Sequence, residues 1–340
     1  MEVRQQMRGI VQDCMSSSSP KIPDVHVAPH PVVEPLLERV SALRMIGNTP
    51  LVPIDRWRDL HPGVQLYAKV EYFNPGGSLK DRPVLRMLSE AIADGRLTAG
   101  KTIIDSSSGN AGIAYALIGG ALGYAVEIVI PDNASQERLK RLRAHGAKIT
   151  HTSAQDGYDE AIRTVRRIVA ADPDKYFYCD QYSNDGNWRA HFDSTAMEIW
   201  QQTEGRVTHF VFGVGTGGTI TGIGRRLKLL NPVVEVELLI PDAFPGVEGL
   251  KPLGSPGDHV PEIYDTTLAS RTWDVDEDKS WQVSQDLAKA GLFAGQSSGV
   301  CVASAVRVAI DLAKRGQSGV VVTMLCDIGE RYFSTRLWDQ

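Results

Sequence analysis

The chain lacks the features that mark several common classes of protein. Its four cysteines, Cys14, Cys179, Cys301 and Cys326, are scattered, with no CxxC pair and no cysteine/histidine spacing of a metal site. They read as reduced and structural, and no metal is expected. No apolar run is long enough to span a bilayer. The start of the chain carries Glu2, Arg4 and Arg8 without a continuous apolar core, unlike a secretory signal. A net charge of −5 without a dense Lys/Arg cluster offers no footprint for nucleic acid or an anionic membrane. These absences point to a cytoplasmic protein acting on small molecules.

What is present is an ordinary globular composition in 340 residues, long enough for two domains. Residues 1–40 begin with a Ser/Pro-rich arm, including Ser16 to Ser19 and Pro20, Pro23, Pro29, Pro31 and Pro35, which resists regular structure. From Gln65 onward apolar strand-like runs alternate with amphipathic helical stretches. The strand candidates are 66–70, 102–105, 125–130, 149–152, 209–212, 234–240 and 320–325. Between them helical patterns cover 135–145, 158–171 and 279–288. This alternation predicts an α/β fold with mostly parallel sheets covered by helices on both faces. The expected division is an N-terminal α/β domain over 41–185 and a C-terminal one over 186–340. In such folds chemistry gathers in the loops after the strands.

The most informative loop is Asn74-Pro75-Gly76-Gly77-Ser78-Leu79-Lys80-Asp81-Arg82, which follows one strand-like run and opens a helical pattern. It places Lys80 in the first turn of a helix. There the positive end of the dipole, together with burial, would bias the side chain toward its neutral amine, which can form a Schiff base. The alternative is a solvated helix start. Ser106 through Gly112 enters a small-residue helix and offers hydroxyls and backbone N–H groups to a carboxylate, although a Ser/Gly run alone is more often a capped turn. Gly213-Val214-Gly215-Thr216-Gly217-Gly218-Thr219 lets the main chain approach a phosphate closely. It has no P-loop lysine, so a phosphate outside a nucleotide fits better, with NAD left open on this loop alone. Gly295 through Gly299 reads by itself as a serine N-cap before a helix over 302–314.

Taken in order, these loops resemble the cysteine synthase and cystathionine β-synthase family of pyridoxal-phosphate enzymes. The resemblance runs from Leu43 to about Thr335. It includes Gly47-Asn48-Thr49-Pro50-Leu51, Asn74 through Arg82, Ser108-Gly109-Asn110, Gln181-Tyr182-Ser183-Asn184, Gly215 through Thr219, Ser297-Ser298-Gly299, and Gly329 through Thr335. It implies two three-layer α/β domains of the tryptophan-synthase-β type (fold type II). It further implies that Lys80 carries pyridoxal 5'-phosphate as an internal aldimine, that Asn110 contacts the ring hydroxyl and that Gly215, Thr216, Gly217, Gly218 and Thr219 wrap the phosphate. Ser297 would face the pyridine nitrogen. Ser107, Ser108, Gly109, Asn110, Ala111 and Gln181 would hold the substrate carboxylate, and Lys251 falls near the position where phosphoserine-using relatives place a basic residue.

The activity so implied is β-replacement on O-acetylserine or O-phosphoserine, with sulfide adding to an aminoacrylate to give L-cysteine. Other nucleophiles would give cystathionine or 2,3-diaminopropionate. A hydrolytic deaminase and a catalytically retired binding homologue are the other readings. Ala111 stands where the family has a threonine, and Thr195-Ala196-Met197-Glu198 departs from its usual Gly-Pro-Glu. Nothing leads one to expect the haem or C-terminal regulatory module of animal cystathionine β-synthases. A homodimer is expected from the resemblance, and the Pro-rich arm is suited to crossing its interface.

Overall fold

The computed structural model describes residues 22–107, 109–243, 246–253 and 260–339; residues 1–21, and with them Cys14 and the serine run, lie outside. Its strands are β1 Leu51–Pro53, β2 Val64–Val70, β3 Thr102–Asp105, β4 Ala125–Pro131, β5 Lys148–Thr152, β6 Tyr176–Tyr178, β7 His209–Gly213, β8 Glu235–Ile240, β9 Arg271–Asp274 and β10 Gly319–Leu325. The helices are α1 Glu34–Arg39, α2 Asp81–Ala93, α3 Asn110–Ala121, α4 Gln136–Ala144, α5 Gly157–Ala171, α6 Gly186–Ala190, α7 Ala196–Gln202, α8 Gly218–Leu230, α9 Glu277–Lys289 and α10 Gln296–Lys314. No helix among the described residues is long and apolar enough to cross a membrane.

Two sheets form, ordered β1-β2-β10-β7-β8-β9 and β5-β4-β3-β6, and every pairing is parallel except the edge pair β1–β2. Burial on both faces explains why their strands read as apolar runs rather than alternating ones. In the smaller sheet, Ile103, Val126, Ile128 and Ile130 face one core with α2 and α3, while Ile104 and Val129 face Ala161 and Val165 of α5 on the other side. The small residues of α3 have a purpose: a Cβ on Gly119 would lie 2.7 Å from Val126 and 2.9 Å from Ile103, so glycine seats this helix on the sheet.

Each strand expected from the apolar runs is present, within a residue or two at its ends. The short β6 and the charged edge strand β9 carried no such run. The division at residue 185 is crossed by the chain. Strands β1 and β2 belong to the larger sheet, where β2 pairs with β10 from Val64↔Gly319 to Val70↔Leu325. An apolar run reveals a strand but not its partner, so a single cut in the sequence does not separate the two sheets.

A buried ion cluster joins β2, α2 and α7. Arg82 binds Glu71 through Nε and Nη2, both at 2.7 Å, and Glu198 through Nη1 at 2.5 Å and Nη2 at 2.8 Å. Lys69 reaches Glu198 at 2.6 Å and donates to Gln202 at 2.9 Å. The turn of Gly47 and Asn48, with φ of +91° and +48°, aims the Asn48 and Thr49 amides at Glu198, and the Thr49 hydroxyl donates to Glu71 at 2.7 Å. Asn48 also holds the arm, accepting from the Val27 N–H at 2.8 Å. Burial alone would raise the Glu198 carboxyl, but Arg82 and Lys69 hold it well below the usual range. Two cations and two anions, none more than 2% exposed, balance one another. Glu198→Gln is expected to cost about 3–5 kcal/mol of unfolding free energy by leaving buried cations uncompensated. Urea unfolding of the two proteins measures this, and a loss below about 1 kcal/mol would refute it.

Candidate active site

Six strand ends converge between the two sheets. Beyond β2, β3, β6, β7, β8 and β10 the chain enters residues 71–80, 106–111, 179–182, 213–219, 241–251 and 326–332, and residues of every one of these segments line a cavity of about 350 Å³. This is where ligands bind in sheets of this kind.

Lys80 stands one residue before α2, at its N-cap. Burial lowers its amine from the ordinary lysine range, while Cys326 and Asp327 pull the other way. The turn before it is tightly held. Gly77 has a φ of +73°, the Gly76 N–H donates to the buried Asp81 carboxyl, and burial pushes that carboxyl up to about 7. Arg331 donates to the Gly76 carbonyl, so the loop after β10 locks the lysine turn.

On one side lies the start of α3. Ser107 accepts from the Gly109 N–H at 3.3 Å, and Asn110 donates to Asp327 at 2.8 Å. A Cβ on Gly112 would stand 2.0 Å from the Ser107 carbonyl, which fixes the loop against the helix. On the other side lies the start of α8. Gly217, with a φ of +87°, is its N-cap, and Thr216 accepts from Asn187 at 3.0 Å. A Cβ would lie 2.3 Å from the Gly249 carbonyl at Gly215, 2.6 Å from Tyr264 at Gly217 and 2.0 Å from Asn187 at Gly218. Only glycines allow the main chain to lie this close, and they leave the helix start and the Thr216 and Thr219 hydroxyls to an anion. His191 sits behind, with Nε2 3.3 Å from the Thr219 hydroxyl, and burial pushes its pKa down to about 3, so it adds no charge.

Ser297 is in the first turn of α10, which begins at Gln296 and not near Val302 as the periodicity suggests. Its neighbour Ser298 accepts from the Cys326 N–H at 2.9 Å and so fastens α10 to the end of β10. Gly295 permits this approach, since a Cβ there would meet Tyr332 at 2.2 Å and Asp327 at 2.4 Å. Lys251 lies with its ammonium 5.1 Å from the Tyr182 ring centre, and its N–H is anchored on the Val214 carbonyl at 2.7 Å. Nearby Glu248 pairs with Arg138 of α4, bridging the segment after β8 to the smaller sheet's helices.

Of the residues singled out from sequence, Lys80, Ser107, Gly109, Asn110, Ala111, Gln181, Gly215, Thr216, Gly217, Thr219, Lys251 and Ser297 share this cavity wall. Gly218 is set back against Asn187, and Ser108 lies outside the described residues. The sequence reading missed Asp327, Asn187 and His191, and gave no role to Tyr332 within the stretch Gly329 through Thr335. Asp327 is buried beside Lys80 with one carboxylate oxygen unpartnered among the described residues, and its place just after β10 was the signal that could have found it. The set fits a phosphorylated aldehyde such as pyridoxal phosphate: an amine of lowered pKa, a glycine cradle at a helix start for the phosphate, and a neutral hydroxyl at Ser297.

Comparison with known proteins agrees. Residues 42–327 match the family described as pyridoxal-phosphate dependent enzyme. The cysteine synthase of Aquifex aeolicus is 47% identical over 305 residues, 88% of this chain and 92% of that protein. A crystal structure of cysteine synthase from Entamoeba histolytica superposes with a TM-score of 0.82 at 30% identity, covering 95% of this chain and 94% of the other. The structure of an O-ureido-L-serine synthase gives 0.79 at 35% identity, covering 88% and 94%.

Proposed function

The chain belongs to the cysteine synthase family of pyridoxal-phosphate-dependent enzymes, and on that footing we propose that it makes L-cysteine from O-acetylserine and sulfide. The chemistry class is β-replacement. The observation that best supports the reading is the shared cavity, whose wall takes in Lys80 and residues of both helix starts.

When bound, pyridoxal phosphate supplies the electron sink that acidifies the α-proton of an amino acid. In our reading the Lys80 amine would hold the cofactor and, once released by substrate, would accept the α-proton and later return it to the same carbon. Burial favours the neutral form this needs. Ser107, the N–H groups at the start of α3 and the Gln181 amide bind the substrate carboxylate. Asn110 is held toward the cofactor by Asp327. Ser297 would meet the ring nitrogen with a neutral hydroxyl, which would not hold that nitrogen protonated and so would favour departure of a β-substituent over transamination. The β-carbon–oxygen bond breaks with loss of acetate, and hydrosulfide forms the new carbon–sulfur bond.

A second donor is supported by one observation: Lys251 is in the cavity wall, where its ammonium could neutralise a departing phosphate. One structural relative is named for making O-ureido-L-serine, so other nucleophiles belong in the same substrate screen. We further propose a cytoplasmic homodimer. The exposed Leu229, Leu230 and Val233 at the end of α8 accord with an interface, and sedimentation as a monomer at micromolar concentration would refute it.

Lys80→Ala is expected to retain pyridoxal phosphate without a covalent bond and to lose turnover by at least about a hundredfold. Absorbance before and after borohydride, together with cysteine formation, measures both, and normal turnover would overturn the assignment. Lys251→Ala is expected to change kcat/KM for O-acetylserine less than about twofold. A loss of about tenfold or more confined to O-phosphoserine would instead identify that donor.

A further inference from the structure

At the opposite end of the larger sheet from the cavity, we propose that His209, Glu235 and Glu237 form a binding site for a divalent cation of the zinc class. Strands β7 and β8 pair in parallel with His209 opposite Glu235, and Glu237, two residues on, returns to the same face. One ligand atom from each lies within 4.8 Å of the others.

Two features ask for a cation between them. Glu237 is fully buried; its Oε2 accepts from the Trp273 indole at 2.6 Å, and its Oε1 has no partner among the described residues. A buried carboxylate oxygen without a partner is costly. His209, also buried, has Nδ1 2.8 Å from the Thr208 hydroxyl, which donates its own proton to the Val320 carbonyl at 3.1 Å. With the hydroxyl donating to that carbonyl, the ring proton sits on Nδ1 and donates to the hydroxyl, the tautomer that leaves a lone pair on Nε2 for a ligand. This lone pair sits 3.6 Å from a Glu235 oxygen, acceptor against acceptor. A metal ion satisfies all three, with Thr208 and Trp273 as the outer partners that hold ligands in orientation.

The nearby guanidinium groups are committed elsewhere. Arg271 donates to Asp311 at 2.8 Å and stacks over Trp273, and Arg315 also pairs with Asp311. One imidazole and two carboxylates suit Zn²⁺, Co²⁺ or Mn²⁺ better than a soft ion. Glu235 is half-exposed and gives a path from solvent. Gly213, four residues along β7, lines the catalytic cavity, so the two sites are about 13 Å apart along the strand. The cation would pin β7 to β8 and take no part in turnover.

The test titrates chelator-treated holoenzyme with Zn²⁺ and with Co²⁺ by calorimetry, alongside thermal melts. The expected result is one ion per chain, a higher Tm with ion, and affinity lowered about tenfold or more in Glu237→Gln, in His209→Asn and in the solvent-facing Glu235→Gln, with cysteine synthesis unchanged. Equal binding in all three variants would overturn the site, as would no binding below about a millimolar. If Glu237→Gln raises the Tm of a wild type that binds no ion, a proton shared by the two carboxylates replaces the proposal.

Discussion

Arg82, held in a fork by Glu71 on one side and Glu198 on the other, is the interaction on which the rest of the molecule depends. A guanidinium removed from water is tolerable only when its five donors are matched in the plane, and here two carboxylates take four of them and the Ser194 hydroxyl the fifth. The four charges come from β2, the turn after it, α2 and α7, so the cluster sets the angle at which the lysine turn leaves the larger sheet. Lys80 is two residues from Arg82. Its position in the cavity is thus fixed by electrostatics behind the wall as well as by the contacts in front.

The site itself follows from two parallel sheets that present their carboxyl ends to one another. Each contributes a loop that opens a helix, and each loop offers backbone N–H groups to an anion. With an amine of lowered pKa in the same wall, the proposed reaction has a carboxylate site and a phosphate site within one small cavity.

Much of this was legible in the sequence, for local reasons. Apolar runs buried on both faces revealed β2, β3, β4, β7, β8 and β10 of the two sheets, and Gly215 through Gly218 announced a close approach of main chain. What stayed hidden depends on pairing between distant segments. Glu198 drew no notice beyond its place after Ala196-Met197, which depart from a familiar pattern, yet it is the counter-ion of both Lys69 and Arg82. Strand β2 gave no hint that it belongs beside β10. Strand β9 is short and charged because it is an edge. The start of α10 at Gln296 was missed because its first turn is serine and glycine, whose burial comes from Asp327, Tyr332 and the end of β10 and not from apolar spacing.

The pairing of β2 with β10 has a consequence for the birth of the protein. The strand that leads to Lys80 is completed by a segment synthesised long after it. While the chain is still on the ribosome, β2 has its antiparallel neighbour β1 but no parallel partner, and Arg331 is not yet present to lock the Gly76 turn. Such long-range pairings close late and slowly. The nascent chain therefore has no finished pocket, and cofactor capture is deferred until β10 has emerged and inserted between β2 and β7.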